Sequence, residues 1–156
     1  MARLSCAALT LLLLALVPAA CGGSGSAPTK QEFVKNAEKI CNDAQKRLKR
    51  VGAKASSPDQ IANAVDAVIN ETQRSVDRLQ GLDRPEGVSG TTAKKFVTSL
   101  QSEVEAKGIP ALKDLRDALK HRDQAKAKAA AKKLQGIRSP QADKYARQLG
   151  VTACVG

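Results

Sequence analysis

Aromatic residues are almost absent from this chain, and this limits the cores that it can build. Its 156 residues include Phe33, Phe96 and Tyr145 as the only aromatic side chains, so alanine and aliphatic residues must fill the interior. Small side chains let helices approach one another closely. No stretch shows the alternation of apolar and polar residues that is typical of a half-buried strand. The sequence therefore predicts an all-α domain.

The first two helices are predicted from capping residues followed by apolar residues at spacings of three and four. The segment Thr29-Lys30-Gln31-Glu32 has the pattern of a capping box, and the helix that follows it can end at Gly52. A second helix is predicted over residues 58–80, where Ser57 caps the first turn and Pro58 occupies a position that needs no amide hydrogen.

Two further helices are predicted in the second half of the chain, and both contain a proline. The third begins near Thr91 and is kinked at Gly108 and Pro110 before it ends at about residue 121. The fourth begins near Asp123, is bent or broken at residues 139–140, and stops at residue 150. Four helices with short links favour an antiparallel four-helix bundle whose third and fourth helices are kinked.

The first twenty residues are predicted to lie outside this bundle. Arg3 precedes an apolar stretch from Leu4 to Val17, and small residues follow, which is the organisation of a secretory signal peptide. The alternative is a transmembrane anchor, but the apolar stretch up to Cys21 is only about 18 residues long and includes polar residues and a proline. We expect residues 1–20 to be removed as a signal peptide.

Cys21 follows two alanines and precedes the segment GGSGS. This arrangement resembles the lipobox of bacterial lipoproteins, in which the cysteine becomes linked to a diacylglyceryl group and is the first residue after cleavage. The resemblance implies lipidation of Cys21 and an anchored position on the extracytoplasmic face of the cell membrane. Pro18 stands where that family usually has leucine, so a soluble secreted protein is the alternative. Residues 21–28 are predicted to be a flexible tether, and residues 29–156 the folded domain.

Two cysteines remain for the folded domain if the signal peptide is removed and Cys21 carries lipid. Cys6 is lost with the signal peptide, which leaves Cys41 and Cys154. Exported proteins meet oxidising conditions, and the sequence contains no CxxC motif. The two thiols are therefore predicted to form a disulfide rather than part of a metal site.

The mature part of the chain resembles a class of small, largely uncharacterised helical lipoproteins from high-GC Gram-positive bacteria. Two elements carry the resemblance: an AxxIC motif at residues 37–41 and an LGxxxC motif at residues 149–154. The resemblance implies the helical bundle and a bridge between Cys41 and Cys154. It implies no established activity.

Catalytic motifs are missing from the sequence. The single histidine, His121, lies between Lys120 and Arg122 and is predicted to be a solvated surface residue. A di-iron bundle needs a Glu-x-x-His motif on two helices, which one histidine cannot supply. There is also no glycine-rich phosphate loop after a strand and no HExxH motif. We therefore expect a protein that is not an enzyme and that has no cofactor and no metal ion.

Positive charge is the remaining feature that indicates a function. The chain has a net charge of +11, and residues 30–54 carry eight basic and three acidic side chains. Residues 123–156 carry seven basic and two acidic side chains, whereas residues 55–87 carry three and six. The predicted bridge would bring the first helix beside the end of the fourth and merge their charges into one positive side. The candidate residues on this side are Lys35, Lys39, Lys46, Lys49, Arg50, Lys126, Lys132 and Lys133.

Two classes of function follow from these features. The first is a lipid-anchored interaction or structural module of the cell envelope, whose positive side attracts anionic lipid, a phosphate-rich wall polymer or an acidic protein. The second is a carrier that binds an apolar ligand between its helices. The alternative for the basic residues is that they form solvated outer faces without a partner. Nucleic acid is not an expected partner, because the chain lacks aromatic residues for base stacking beside its lysines.

Overall fold

The computed structural model describes residues 26–53 and 55–155, and this part of the chain forms six α-helices, one π-helical segment and no strand. Four helical rods result, because the π segment joins α3 to α4 and a short break separates α5 from α6. The predicted all-α four-helix bundle is confirmed. The elements are α1 (Lys30–Gly52), α2 (Pro58–Gln80), α3 (Gly87–Glu103), the π segment (Val104–Gly108), α4 (Ile109–Lys120), α5 (Gln124–Gly136) and α6 (Pro140–Leu149).

The first two helices begin at the predicted capping boxes. The Thr29 hydroxyl accepts a hydrogen bond from the Glu32 amide at 3.2 Å, and the Glu32 carboxylate accepts one from the Thr29 amide at 2.8 Å. Ser57 and Gln60 repeat this exchange at the start of α2. Each reciprocal pair satisfies amide groups that the helix itself leaves without partners, so these starts are encoded locally.

The third rod begins at Gly87 rather than near Thr91, so this predicted boundary is wrong by about one turn. Gly90, which precedes the predicted start near Thr91, lies in the first turn of α3. A Cβ atom at this residue would lie 1.8 Å from the carbonyl oxygen of Pro85. The helix therefore needs glycine here because its first turn packs directly against the backbone that precedes it.

The predicted kink of the third rod takes the form of a π-helical segment. The amide of Ile109 donates to the carbonyl of Val104, one residue further back than in an α-helix. Pro110 follows immediately and has no amide hydrogen to donate, and its ring crowds the preceding turn. The wider π turn accommodates this proline without ending the rod.

The fourth rod is broken where the sequence predicted a bend. Asp123 caps α5, since its carboxylate accepts a hydrogen bond from the Lys126 amide at 3.0 Å. Residues 137–139 are not helical, and Pro140 begins α6. Gly150 ends α6 in the left-handed conformation, with φ of 92°, which glycine adopts without steric cost.

Two apolar clusters hold the rods together. The larger one lies at the end of the bundle where α1 begins and contains residues of α1, α2, α3, α6 and the C-terminal tail. The smaller one joins α2 to α4 through Val65, Ile69 and Ile109. The helices approach one another closely at alanine residues, since Ala37, Ala93 and Ala146 are each completely buried. Phe33 and Phe96 are the largest buried side chains of the first cluster.

Neighbouring rods are antiparallel. Ion pairs therefore join the first half of one helix to the second half of its neighbour. Asp66 in the first half of α2 accepts from Arg116 at 3.1 Å and from Lys120 at 3.2 Å, both near the end of α4. In turn, α4 packs on α5, and α3 packs on α6. The tail after α6 then runs beside α1, which closes the bundle.

Candidate functional site

The basic residues predicted on the first helix are all exposed on the outer side of α1. Within the described residues none of these five side chains forms an ion pair with a carboxylate. Arg50 donates instead to the backbone carbonyl of Lys46 at 3.2 Å. The charge of this surface is therefore available to a partner. The five residues are Lys35, Lys39, Lys46, Lys49 and Arg50.

An open groove of about 740 Å³ runs along the first half of this surface. Lys30, Lys35 and Lys39 line it, and Val34 and Leu149 contribute apolar side chains. The groove lies at the start of α1, where the predicted tether would enter the domain. It combines positive charge with apolar surface, which suits an anionic group that carries hydrocarbon.

Glu38 also lines the groove, but its carboxylate is directed to the C-terminal tail. It accepts hydrogen bonds from the amide and the hydroxyl of Thr152 at 3.0 and 2.9 Å. These bonds lower the pKa of Glu38 below its ordinary value, the amide of Thr152 having the largest effect. Because the pKa of this carboxyl group is lower in the folded state than in the unfolded state, its hydrogen bonds stabilise the fold at pH values above the unfolded pKa. This contribution is lost as the pH falls through the folded pKa.

The tail is attached to α1 by a covalent bond as well. Cys41 and Cys154 form a disulfide, with their Cα atoms 5.4 Å apart, so the predicted bridge is present. Val151 is completely buried, and Gln45 donates to the carbonyl of Ala153 at 2.8 Å. Cys21, the predicted lipidation site, and the predicted signal peptide lie outside the described residues.

The basic residues predicted on the fourth helix lie on α5 and are in a different environment. Lys126 pairs with Asp123 at 3.1 Å, and Lys133 pairs with Asp114 at the same distance. Lys132 is exposed and makes no ion pair within the described ranges. Helix α5 packs on α4, whereas α1 packs mainly on α2. The disulfide joins α1 to the tail after α6 and not to α5, so the two predicted groups of basic residues belong to different helix pairs.

An apolar crevice of about 300 Å³ lies between α1, α2, the third rod and the tail. Its walls are mainly aliphatic, and Thr72 and Ser75 provide hydroxyl groups at α2. The disulfide forms part of its edge. The aliphatic lining residues are Ala44, Leu48, Val76, Leu79, Leu100, Val104, Ala153 and Val155.

One buried ionic group was not predicted from the sequence. Glu71 on α2 is only 5% exposed, and its carboxylate accepts from Arg47 of α1 at 2.7 Å and from Ser75 at 3.2 Å. Arg74 lies at 3.5 Å. The Nη2 atom of Arg47 is buried and has no hydrogen-bond partner in the described part of the chain. No local pattern marks this pair, because its members are 24 residues apart on different helices.

His121 is exposed at the end of α4, as predicted for a surface residue. Among the described residues there is no group of three or more histidine, cysteine or acidic side chains that could hold a metal ion. None of the described helices combines the length and the apolar character needed to span a membrane.

Comparisons with known proteins add no relative to these observations. No protein-family model, no curated protein and no solved structure gives a significant match to the chain.

Proposed function

We propose that the chain is a lipid-anchored module of the bacterial cell envelope, whose exposed α1 surface lies against anionic components on the extracytoplasmic side of the membrane. The lipobox-like segment that ends at Cys21 supports the anchor, and the Gly/Ser segment after it supports a tether. The observation that carries the proposal is the groove at the start of α1, where Lys35 and Lys39 have no carboxylate partner within the described ranges.

Because a tether would hold the domain near the membrane, a weak attraction would be sufficient to orient it. About seven flexible residues between Cys21 and Pro28 would keep the domain within roughly 15 Å of its anchor, at a high effective concentration. Each basic residue close to an anionic surface contributes about 1 kcal/mol. Three or four of the α1 residues would therefore be enough to orient the domain.

Binding to anionic vesicles tests the α1 surface. We expect residues 26–156, prepared without the anchor, to co-sediment with phosphatidylglycerol vesicles at low ionic strength and to dissociate as salt is added, because salt screens exposed charges. The Lys35→Gln/Lys39→Gln variant should bind about tenfold less, since two contributions of about 1 kcal/mol are removed and part of this loss is screened.

The matched control for this experiment is Lys113→Gln/Lys128→Gln, which removes the same charge from exposed residues of α4 and α5. It should bind nearly as well as the unchanged protein. Equal losses in both variants would show that only net charge matters. Absence of salt-sensitive binding by the unchanged protein, to vesicles and to purified wall polymer alike, would contradict the proposal and leave the basic residues as a solvated face.

The anchor is tested separately on the full chain in a bacterial host. Cys21→Ser should abolish metabolic labelling with a palmitate analogue and leave an uncleaved or soluble form, because the thiol that would carry the lipid is removed. Cys6→Ser is the matched control and should label normally. Unchanged labelling of the Cys21 variant would contradict lipidation at this residue.

A second candidate function is that of a carrier for an apolar ligand. The crevice beside the disulfide supports it, because aliphatic side chains from three rods and the tail line a volume of about 300 Å³. Ionic strength separates the two candidates. Binding of an apolar probe in the crevice should change little with salt, whereas binding through the α1 surface should weaken steeply.

A further inference from the structure

A hollow on the described surface lies where the fourth rod breaks. It has a volume of about 810 Å³ and is bordered by the end of α5, the non-helical residues 137–139, the start of α6 and one side of the third rod. Its lining includes the small residues Ala129, Gly136 and Ala142. The break in the rod therefore leaves an open space rather than a packed contact.

Positive charge in this hollow exceeds the negative charge. Four basic side chains line it, together with a single carboxylate, that of Glu103. Glu103 pairs with Lys107 at 2.8 Å, and Lys133 pairs with Asp114, which lies outside the hollow. Lys132 and Arg138 have no carboxylate partner among the described residues. Two cationic groups at the hollow are thus unmatched.

Arg138 is held at the edge of the hollow by its backbone contacts. Its Nη1 atom donates to the carbonyls of Gln135 and Ile137, both at 2.9 Å. These bonds fix the guanidinium at the end of α5 and leave its other N–H groups for a ligand. A guanidinium that is held in place loses less conformational entropy on binding, which suits it to a planar or tetrahedral oxyanion.

Neutral hydrogen-bond donors add to these charges. Ser99 and Ser139 line the hollow, and Ser139 makes no capping hydrogen bond to the first turn of α6. Hydroxyl groups and guanidinium N–H groups together match the several acceptor oxygens of a phosphate better than they match a single carboxylate.

We propose that this hollow binds a phosphate ester through Lys132, Arg138 and the two serine hydroxyls. A lipid headgroup, a wall polymer and a free phosphate all share this chemistry. The site does not depend on the lipid anchor or on the α1 surface, so it can exist whether or not the proposed function is correct.

Calorimetric titration of the full chain in an uncharged detergent tests the site. Three probes distinguish the sources of phosphate: inorganic phosphate, a synthetic glycerol-phosphate tetramer, and phosphatidylglycerol incorporated into micelles of the same detergent. We expect saturable binding of at least one probe, and the tightest probe identifies the source. Lys132→Gln/Arg138→Gln should weaken that binding by about tenfold or more, because charge-assisted hydrogen bonds are lost.

A second variant tests the shape of the hollow without changing its charge. A Cβ atom at Gly136 would meet nothing within 4 Å, and leucine is favoured over glycine in a helix, so Gly136→Leu should fold and fill part of the space. It should also weaken binding. The control is Lys94→Gln/Lys113→Gln, which removes two exposed lysines that do not line the hollow and should bind within about twofold of the unchanged protein.

The outcomes are distinct. Loss of binding in the Lys132/Arg138 and Gly136 variants, with retention in the control, supports the site. No saturable binding of any probe, unchanged binding in the first two variants, or an equal loss in the control would overturn it. If the hollow binds phosphate as expected but Lys35→Gln/Lys39→Gln binds vesicles as well as the unchanged protein, the proposed role of the α1 surface is rejected and the phosphate site is retained.

Discussion

Replacing both Cys41 and Cys154 by alanine is expected to lower the free energy of unfolding by about 4 to 5 kcal/mol. The disulfide joins residues that are 113 apart in the sequence, so it restricts the unfolded chain over most of the domain. It also holds the tail on α1, where Val151 completes the larger apolar cluster. Urea denaturation of residues 26–156, followed by far-UV circular dichroism, measures the change.

Two controls separate the covalent bond from the other contacts of the tail. Glu38→Gln weakens the hydrogen bonds to Thr152 and keeps the disulfide. It should therefore lower the free energy of unfolding much less than the double cysteine variant does. Reduction of the unchanged protein should reproduce the effect of the double variant. A loss below about 1 kcal/mol would contradict the expected effect and imply that unfolded chains with and without the bond are similarly restricted.

Arg47→Ala is expected to lower the free energy of unfolding by about 2 to 4 kcal/mol. It leaves the carboxylate of Glu71, which is only 5% exposed, with Ser75 and a more distant Arg74. Removing one partner of a fully buried pair costs about 3 to 5 kcal/mol. The cost should be smaller here because Arg74 remains at 3.5 Å and the Arg47 side chain is 36% exposed.

The double variant Arg47→Met/Glu71→Leu should recover most of this loss, because apolar side chains of similar size need no hydrogen-bond partners. It also removes the Nη2 atom that has no partner in the described structure. Arg50→Ala is the matched control on the same helix, where the side chain is exposed, and it should change the stability by less than about 0.5 kcal/mol. If Arg47→Ala has as small an effect as this control, the pair does not stabilise the fold.

Most helix boundaries could be predicted because their causes are local. The exchange between Thr29 and Glu32, the cap at Asp123 and the left-handed Gly150 involve residues within one turn of each other. The start of α3 could not be predicted in this way. Glycine is common in loops, but Gly90 permits a helical turn to lie against the carbonyl of Pro85, and the residue type alone does not indicate this.

The candidate sites also differ in whether their causes are local or depend on the packing of distant helices. The exposed lysines of α1 follow from helical spacing, since the apolar face of an amphipathic helix determines which residues must point outward. The pairing of Lys126 with Asp123 is also local, but the environment of Lys132 and Lys133 does not follow from spacing. It depends on α5 packing against α4, which supplies Asp114 to Lys133 and leaves Lys132 beside the hollow at the rod break.

The sequence by itself determined the all-helical class and the helix caps, because periodicity and capping act within a few residues. Only the tertiary structure decided which helices are neighbours, that Arg47 meets a buried Glu71, and where the rod break opens a hollow. These features join residues that are distant in the chain. The packing of several elements together sets their distances, and no local pattern of residue types records them.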